Sequence, residues 1–253
     1  MNRIQNKLSQ SKKILSIYFS AGFPNLNDTK SLIENLAKKN VDMIEIGLPF
    51  SDPLADGPTI QASSTQALKN GMTTEILFSQ IKDIRETVAI PLIIMGYFNP
   101  ILQFGTENFL KKCKETGIDG LIIPDLPLEI YLSEYKELFE SYGIAMIFLI
   151  TPQTSTERIR LIDANSNSFI YMVSSSSVTG SRDSFDDNQI EYFERIANMN
   201  LKNPQIIGFG ISNKTTFQQA TKHQKGAIIG SSFIQYISKN GIHDIESFIQ
   251  NIL

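Results

Sequence analysis

The chain has 253 residues, 42% of them hydrophobic and 19% charged, the make-up of a folded globular protein rather than a disordered one. Lys and Arg total 23 against 26 Asp and Glu, a net charge of -3, and no window gathers basic residues into a stripe, so nucleic acid is not an expected partner. The single cysteine, Cys113, rules out an internal disulfide, and with only His223 and His243 beside it a zinc site is not expected.

Residues Met1 to Lys13 are polar with Ile4 and Leu8 four apart, which reads as a short amphipathic helix and lacks the apolar run of a signal peptide. No later stretch is apolar over the roughly 18 residues that a membrane span needs. A cytoplasmic protein is the expectation.

Eight short apolar runs follow: Ile14 to Ser20, Met43 to Gly47, Pro91 to Met95, Gly120 to Ile123, Ala145 to Ile150, Phe169 to Val173, Gln205 to Gly208 and Gly226 to Gly230. Each reads as a strand buried on both faces. Between them lie helical spacings. Leu77, Ile81, Ile84 and Val88 share one face, as do Tyr131, Tyr135, Leu138 and Tyr142. Asp28, Thr106 and Ser155 are candidate N-caps, and Asn40, Gly117 and Gly143 candidate left-handed C-cap residues. Strand and helix alternate eight times, the pattern of a parallel barrel covered by helices. The expected fold is α/β, a single (β/α)₈ TIM barrel over residues 1–253 with a short N-terminal helix. A doubly wound open sheet is the alternative.

In such a barrel the loops after the strands form the catalytic face. Alternation along the second strand puts Ile44 and Ile46 on one side and Met43, Glu45 and Gly47 on the other. A carboxylate buried there costs several kcal/mol unless protonated or paired. Glu45 is therefore a structural ion-pair member or a general acid/base of raised pKa, and its place near the strand's C-terminal end favours the second. The loop after it, Leu48 to Pro58, holds three prolines and a glycine, which restrict its shape. Asp52 before Pro53 reads as a turn-former. Asp56 before Gly57 reads equally as a turn residue or as a carboxylate reaching over the mouth.

Further along, the polar stretch from Ser174 to Asn188 follows the sixth strand, and a loop of that length is usually functional; a lid is expected. Gly210 and Gly230 allow backbone N–H groups to approach a ligand, and Ser231 and Ser232 can cap a helix whose N-terminus attracts anions. These lie after strands seven and eight, where barrels often bind phosphate.

The run Glu45-Ile46-Gly47-Leu48-Pro49-Phe50-Ser51-Asp52-Pro53-Leu54-Ala55-Asp56-Gly57-Pro58-Thr59-Ile60-Gln61 resembles the signature of tryptophan synthase α subunits. The resemblance continues through Ala21-Gly22-Phe23-Pro24, Gly96-Tyr97-Phe98-Asn99-Pro100, Pro124-Asp125-Leu126-Pro127, Val178-Thr179-Gly180 and Gly208-Phe209-Gly210-Ile211-Ser212, and so spans essentially the whole chain. It implies a lyase that cleaves indole-3-glycerol phosphate into indole and glyceraldehyde 3-phosphate, with Glu45 and Asp56 as the catalytic pair. Tyr18 and Tyr171 would line the indole pocket. Gly180, Gly210, Gly230 and Ser231 would hold the phosphate, with Thr179 beside Gly180 among the substrate-binding residues. Ser177 stands where the family usually has a glycine.

The resemblance also implies that the chain itself carries no cofactor and that it docks on a β subunit, which carries pyridoxal phosphate, in an α₂β₂ heterotetramer. Loop two and the segment Asn99 to Phe104, with apolar Ile101, Leu102 and Phe104, would face that partner. The other reading of this segment is packing beneath the next helix. Two rival functions stay open: a non-catalytic activating subunit, and another phosphate-binding barrel enzyme of indole metabolism. An indole-glycerol-phosphate synthase would be expected to place a lysine at a strand's C-terminal end, and none of the eight strand ends has one.

Overall fold

The computed structural model describes residues 2–174 and 184–253. Among these, nine parallel strand segments are present: β1 (Ile14–Ser20), β2 (Met43–Gly47), β3 (Leu92–Met95), β4 (Gly120–Ile122), β5 (Ala145–Ile147), β6 (Leu149–Ile150), β7 (Ile170–Val173), β8 (Gln205–Gly208) and β9 (Gly226–Ile229). They pair in the order β5-β4-β3-β2-β1-β9-β8-β7-β6. The segments β5 and β6 are two halves of the expected fifth strand, interrupted at Phe148. The first half pairs with β4 and the second with β7, and the Phe148 carbonyl accepts from the Tyr171 N–H at 2.9 Å. One run of chain therefore closes the ring, and eight sequence runs make the (β/α)₈ barrel.

The alternation of each strand separates two cores. Ile14, Met43, Ile93, Ile122, Ile147, Phe169, Ile206 and Ile228 fill the barrel interior. Leu15, Ile17, Ile44, Ile46, Leu92, Ile94 and Ile207 point outward into the layer beneath the helices. The N-terminal helix α1 (Arg3–Gln10) is amphipathic as expected, and its buried Ile4 and Leu8 join the interior set. It plugs the end of the barrel where the strands begin: a Cβ on Gly120, the first residue of β4, would meet Ile4 Cδ1 at 3.1 Å.

The outer layer comprises α2 (Asp28–Ala37), α3 (Pro58–Lys69), α4 (Thr74–Gln80), α5 (Phe98–Phe104), α6 (Thr106–Thr116), α7 (Leu128–Ile130), α8 (Lys136–Tyr142), α9 (Thr156–Asn165), α10 (Asp187–Asn198), α11 (Lys214–His223), α12 (Ser231–Asn240) and α13 (Ile245–Gln250). Ser155 caps α9, accepting from the Arg158 N–H at 3.2 Å. Asn40, Gly117 and Gly143 hold positive φ of 59°, 76° and 72°, the left-handed residues expected at those helix ends. Asp28 and Thr106 are instead the first helical residues, with Asn27 and Gly105 at the cap positions.

Two expected helix faces differ in detail. Leu77, Ile81, Ile84 and Val88 are all buried, but α4 ends at Gln80 and a separate 3₁₀ turn carries Ile84. Between α7 and α8 a π-helical turn spans Tyr131–Tyr135. The π-turn shifts the phase of the pattern. Phe139 is consequently the fully buried residue of α8, while Tyr135, Leu138 and Tyr142 are only partly covered.

Candidate active site at the barrel mouth

Glu45 stands on the interior side of β2, between Tyr18 of β1 and Ile93 of β3 in register, and it is fully buried. The Ser16 hydroxyl donates to its Oε1 at 2.9 Å, while Oε2 has no hydrogen-bond partner. Burial disfavours the charged form and pushes the carboxyl up to about 8, against the opposing pull of the Ser16 hydroxyl. Glu45 thus favours its protonated form at neutral pH, and among the described residues no cation pairs with it.

Asp56 sits half-buried in the loop between β2 and α3. Its N–H donates to the Pro53 carbonyl at 3.1 Å, closing a turn. The Tyr97 hydroxyl accepts from the Ala55 N–H at 2.8 Å and donates to Asp56 Oδ2 at 3.3 Å. Burial raises the Asp56 carboxyl to about 6, with the Tyr97 hydroxyl pulling it down. Asp56 is therefore both a turn residue and a carboxylate at the mouth.

Tyr18 and Tyr171 bring two phenol rings into the same mouth, and each needs a glycine on the neighbouring strand. A Cβ on Gly47 would lie 2.1 Å from the Tyr18 hydroxyl, and one on Gly208 would lie 2.0 Å from that of Tyr171. Burial holds both phenols above their ordinary range, and the charges of Glu45 and Asp56 push the same way.

The two rings open onto a cavity of about 710 Å³ including its mouth, also lined by Asp56, Phe209, Gly210, Gly230, Ser231 and Ser232. Gly210 has φ +75°, a conformation that favours glycine. Gly230 precedes the ten-residue helix α12, whose first turn starts at Ser231. The expected side-chain cap is not made: Gly230 occupies the cap position, and neither Ser231 nor Ser232 caps the helix. Its first N–H groups have no intrahelical acceptor and face the cavity end of the helix, where an anion is favoured.

The structure brings Glu45, Asp56, Tyr18, Tyr171, Gly210, Gly230 and Ser231 to one mouth. Thr179, Gly180 and Ser177 lie outside the described residues, as does most of the expected lid. At its edges, the Ser174 hydroxyl donates to the Phe209 carbonyl at 2.8 Å, and α10, capped by Asp186, begins at Asp187. Glu45 does not itself line the cavity, so contact with a substrate requires a rotation of its side chain or of a flanking phenol. The segment expected as a loop after β3 is the helix α5: Ile101 is buried in the core, as the packing reading had it, whereas Leu102 is 47% exposed. Sequence reasoning passed over Ser16, Tyr97 and Phe209. Two-residue alternation back from Tyr18 finds Ser16; nothing local marks Tyr97, which meets Asp56 only through the fold.

A parallel barrel whose mouth holds a protonated glutamic acid, a second carboxyl and a helix N-terminus has the make-up of an acid–base enzyme acting on a phosphorylated substrate. The chain matches the family model of the tryptophan synthase alpha chain over residues 4–252 and belongs to that family. It is 70% identical over 252 residues to the tryptophan synthase alpha chain of Flavobacterium psychrophilum, covering 100% of both chains. It is 57% identical over 240 residues to that of Phocaeicola vulgatus, covering 94% of this chain and 93% of the relative. Among solved structures, tryptophan synthase subunit alpha from Legionella pneumophila superposes with a TM-score of 0.89 at 30% identity, covering 100% of this chain and 97% of that one. A tryptophan synthase structure from Mycobacterium tuberculosis gives a TM-score of 0.90 at 25% identity, covering 99% and 96%. Membership carries the lyase reaction of tryptophan biosynthesis, cleavage of indole-3-glycerol phosphate to indole and glyceraldehyde 3-phosphate, and implies a β partner subunit. Among the described residues no helix is long and apolar enough to cross a membrane.

Proposed function

We propose that Glu45 and Asp56 carry the cleavage as a retro-aldol reaction, by acid–base chemistry alone and with no cofactor in this chain. Glu45, protonated at neutral pH, gives its proton to indole C3. The resulting carboxylate takes the proton of the hydroxyl on the adjoining glycerol carbon. The carbon–carbon bond breaks, the aldehyde forms, and the electron pair returns to the ring, leaving Glu45 protonated as it began. Between these steps the ring carries positive charge, which an ionised Asp56 offsets while accepting a hydrogen bond from the indole N–H. Tyr18 and Tyr171 flank the indole. Gly210, Gly230 and Ser231, together with Thr179 and Gly180, hold the phosphate end.

The observation that carries this reading is the pair of carboxyls in one mouth with pKa values of about 8 and about 6: between those limits one is an acid and the other a carboxylate. The expected pH profile of kcat/KM is a bell, rising through about 6 as Asp56 ionises and falling through about 8 as Glu45 loses its proton. Single-turnover release of indole tests the roles. Glu45→Gln lowers the rate by about 10² to 10⁴-fold. Asp56→Asn lowers the same step and leaves substrate Kd near the wild-type value. Wild-type cleavage by folded Glu45→Gln protein overturns the assignment.

The residues 1–253 act as one domain in the cytoplasm, docked through the mouth on a β subunit that carries pyridoxal phosphate, in an α₂β₂ assembly. Leu54 on loop two is 90% exposed and Leu102 on α5 47%, apolar groups on the two segments expected to face the partner. Sedimentation of the mixed subunits tests the assembly, with Leu54→Glu expected to weaken it.

A further inference from the structure

The interior face of β1 carries a hydroxyl with no role in the reaction as written. Interior positions of barrel strands are ordinarily filled by branched or bulky apolar side chains, and Ile14 on the same strand follows that pattern. Ser16 does not. It is fully buried, with Met43 of β2 and Ile228 of β9 as its partners in register. A buried hydroxyl costs free energy unless it is bonded, and the bond that Ser16 makes is to Glu45 Oε1 at 2.9 Å. The other oxygen, Oε2, is buried and without a partner.

We propose that Ser16 is a positioning residue for the cleavage: it occupies Oε1 of Glu45 and thereby makes Oε2 the oxygen that carries the proton to the substrate. The inference rests on the reading of Glu45 as acid and base. The terminal torsion of a glutamate is broad and nearly two-fold, so an untethered carboxyl presents either oxygen. With Ser16 donating to Oε1, that oxygen serves as the carbonyl acceptor of the neutral acid, and the proton resides on Oε2.

The tether also acts on the reaction itself. Once Glu45 has delivered its proton it is a buried carboxylate, and among the described residues no cation contributes to its shift. A hydrogen bond to an ionised acceptor is stronger than one to a neutral acceptor. The Ser16 bond therefore strengthens as the proton leaves, which favours the step rather than the resting state. The titratable groups that face Glu45 are Tyr18 from β1 and Tyr171 from β7, with Asp56 from the loop after β2 sensed by the same two phenols; β3 presents the apolar Ile93. Both phenols remain protonated through the neutral range, leaving Ser16 as the local group that adjusts Glu45.

The test compares Ser16→Ala, Ser16→Thr and Glu45→Gln in single-turnover cleavage of indole-3-glycerol phosphate from about pH 6 to about pH 9. Ser16→Ala is expected to slow cleavage about ten-fold, the effect of one lost hydrogen bond to a charged group, with substrate Kd unchanged. It also moves the alkaline limb to higher pH, because the untethered acid is weaker. Ser16→Thr keeps a hydroxyl on the same carbon and recovers both the rate and the limb. A direct titration of the Glu45 carboxyl carbon by ¹³C NMR in ligand-free protein reads the same upward move independently of turnover. An unmoved rate, limb and carbon titration in Ser16→Ala, with Glu45→Gln inactive, overturns the role of Ser16 alone. Equal losses in the alanine and threonine variants with an unmoved limb also overturn it, since that is the mark of packing. Wild-type cleavage by Glu45→Gln overturns the underlying reading instead.

Discussion

Asp119, just before β4 at the floor of the barrel, and Glu45, on β2 toward its mouth, are both buried acids on neighbouring parts of one sheet, and they are treated in opposite ways. Asp119 accepts from Arg85 at 2.6 Å, from Arg3 at 3.0 Å and from the Leu92 N–H at 2.9 Å. Arg85 in turn donates to the carbonyls of Gly117, Val88 and Ile90. Glu45 has one serine and a bare oxygen. A fully bonded buried network fixes geometry, whereas a carboxyl deprived of partners keeps its proton and remains available to exchange it. The floor stabilises the barrel, and on the proposed reaction the mouth gives up stability for chemistry.

The largest expected effect on stability is at the floor. Asp119→Ala strands Arg85 among backbone carbonyls and removes the acceptor of the Leu92 N–H. Breaking a buried pair in this manner costs about 3–5 kcal/mol, to be read from urea unfolding near neutral pH. The cleavage rate of the protein that stays folded remains that of the wild type. A loss of turnover without loss of stability would erase the division between the two ends.

The next effect in size belongs to the mouth and has the opposite character. Burial lifts the Glu45 carboxyl in the folded state to about 8, above its ordinary value of 4.5, so the native state binds more protons than the unfolded state between those limits. Its contribution to stability is fully present below about 4.5 and is lost as pH rises to about 8. The slope is about 1.4 kcal/mol per pH unit within that window, or roughly 3 kcal/mol for about two units. Glu45→Gln removes this slope while slowing cleavage by the about 10² to 10⁴-fold expected for the lost acid. Unfolding curves at several pH values check it: a slope that persists in Glu45→Gln assigns the titration to another group.

The contrast between floor and mouth also marks what the sequence conveys. Strand alternation put Glu45 on the face opposite Ile44 and Ile46, because a period of two needs no tertiary knowledge, but which face is the barrel interior came only with the fold. Eight apolar runs gave the barrel, but the interruption at Phe148, where one strand leaves β4 and joins β7, depends on the curvature of the closed sheet. The π-turn at Tyr131–Tyr135 moved Phe139 into the core by adding to the helical phase, something a fixed period misses. Loop two was recognisable as a shaped segment, yet the Tyr97 hydroxyl that holds Asp56 comes from the start of α5, 41 residues away. Pairings of that kind, like Arg85 with Asp119, are made by folding and leave no local mark.

The smallest expected effect separates the two kinds of force acting at the floor itself. Arg3 reaches Asp119 from α1, but its side chain is 46% exposed, so its attraction is screened by water and salt. Arg3→Ala leaves Asp119 its bonds to Arg85 and Leu92, and leaves the plug its buried Ile4 and Leu8. The expected loss is below about 1 kcal/mol, measured as a shift in the urea midpoint, and it shrinks further at high salt. Ile4→Ala, by contrast, empties a fully buried position and costs about 2–5 kcal/mol irrespective of salt. That ordering follows if the helix is held by apolar burial and the arginine only trims its register. A salt-sensitive loss in Arg3→Ala as large as that in Ile4→Ala would instead make charge the force that holds the plug.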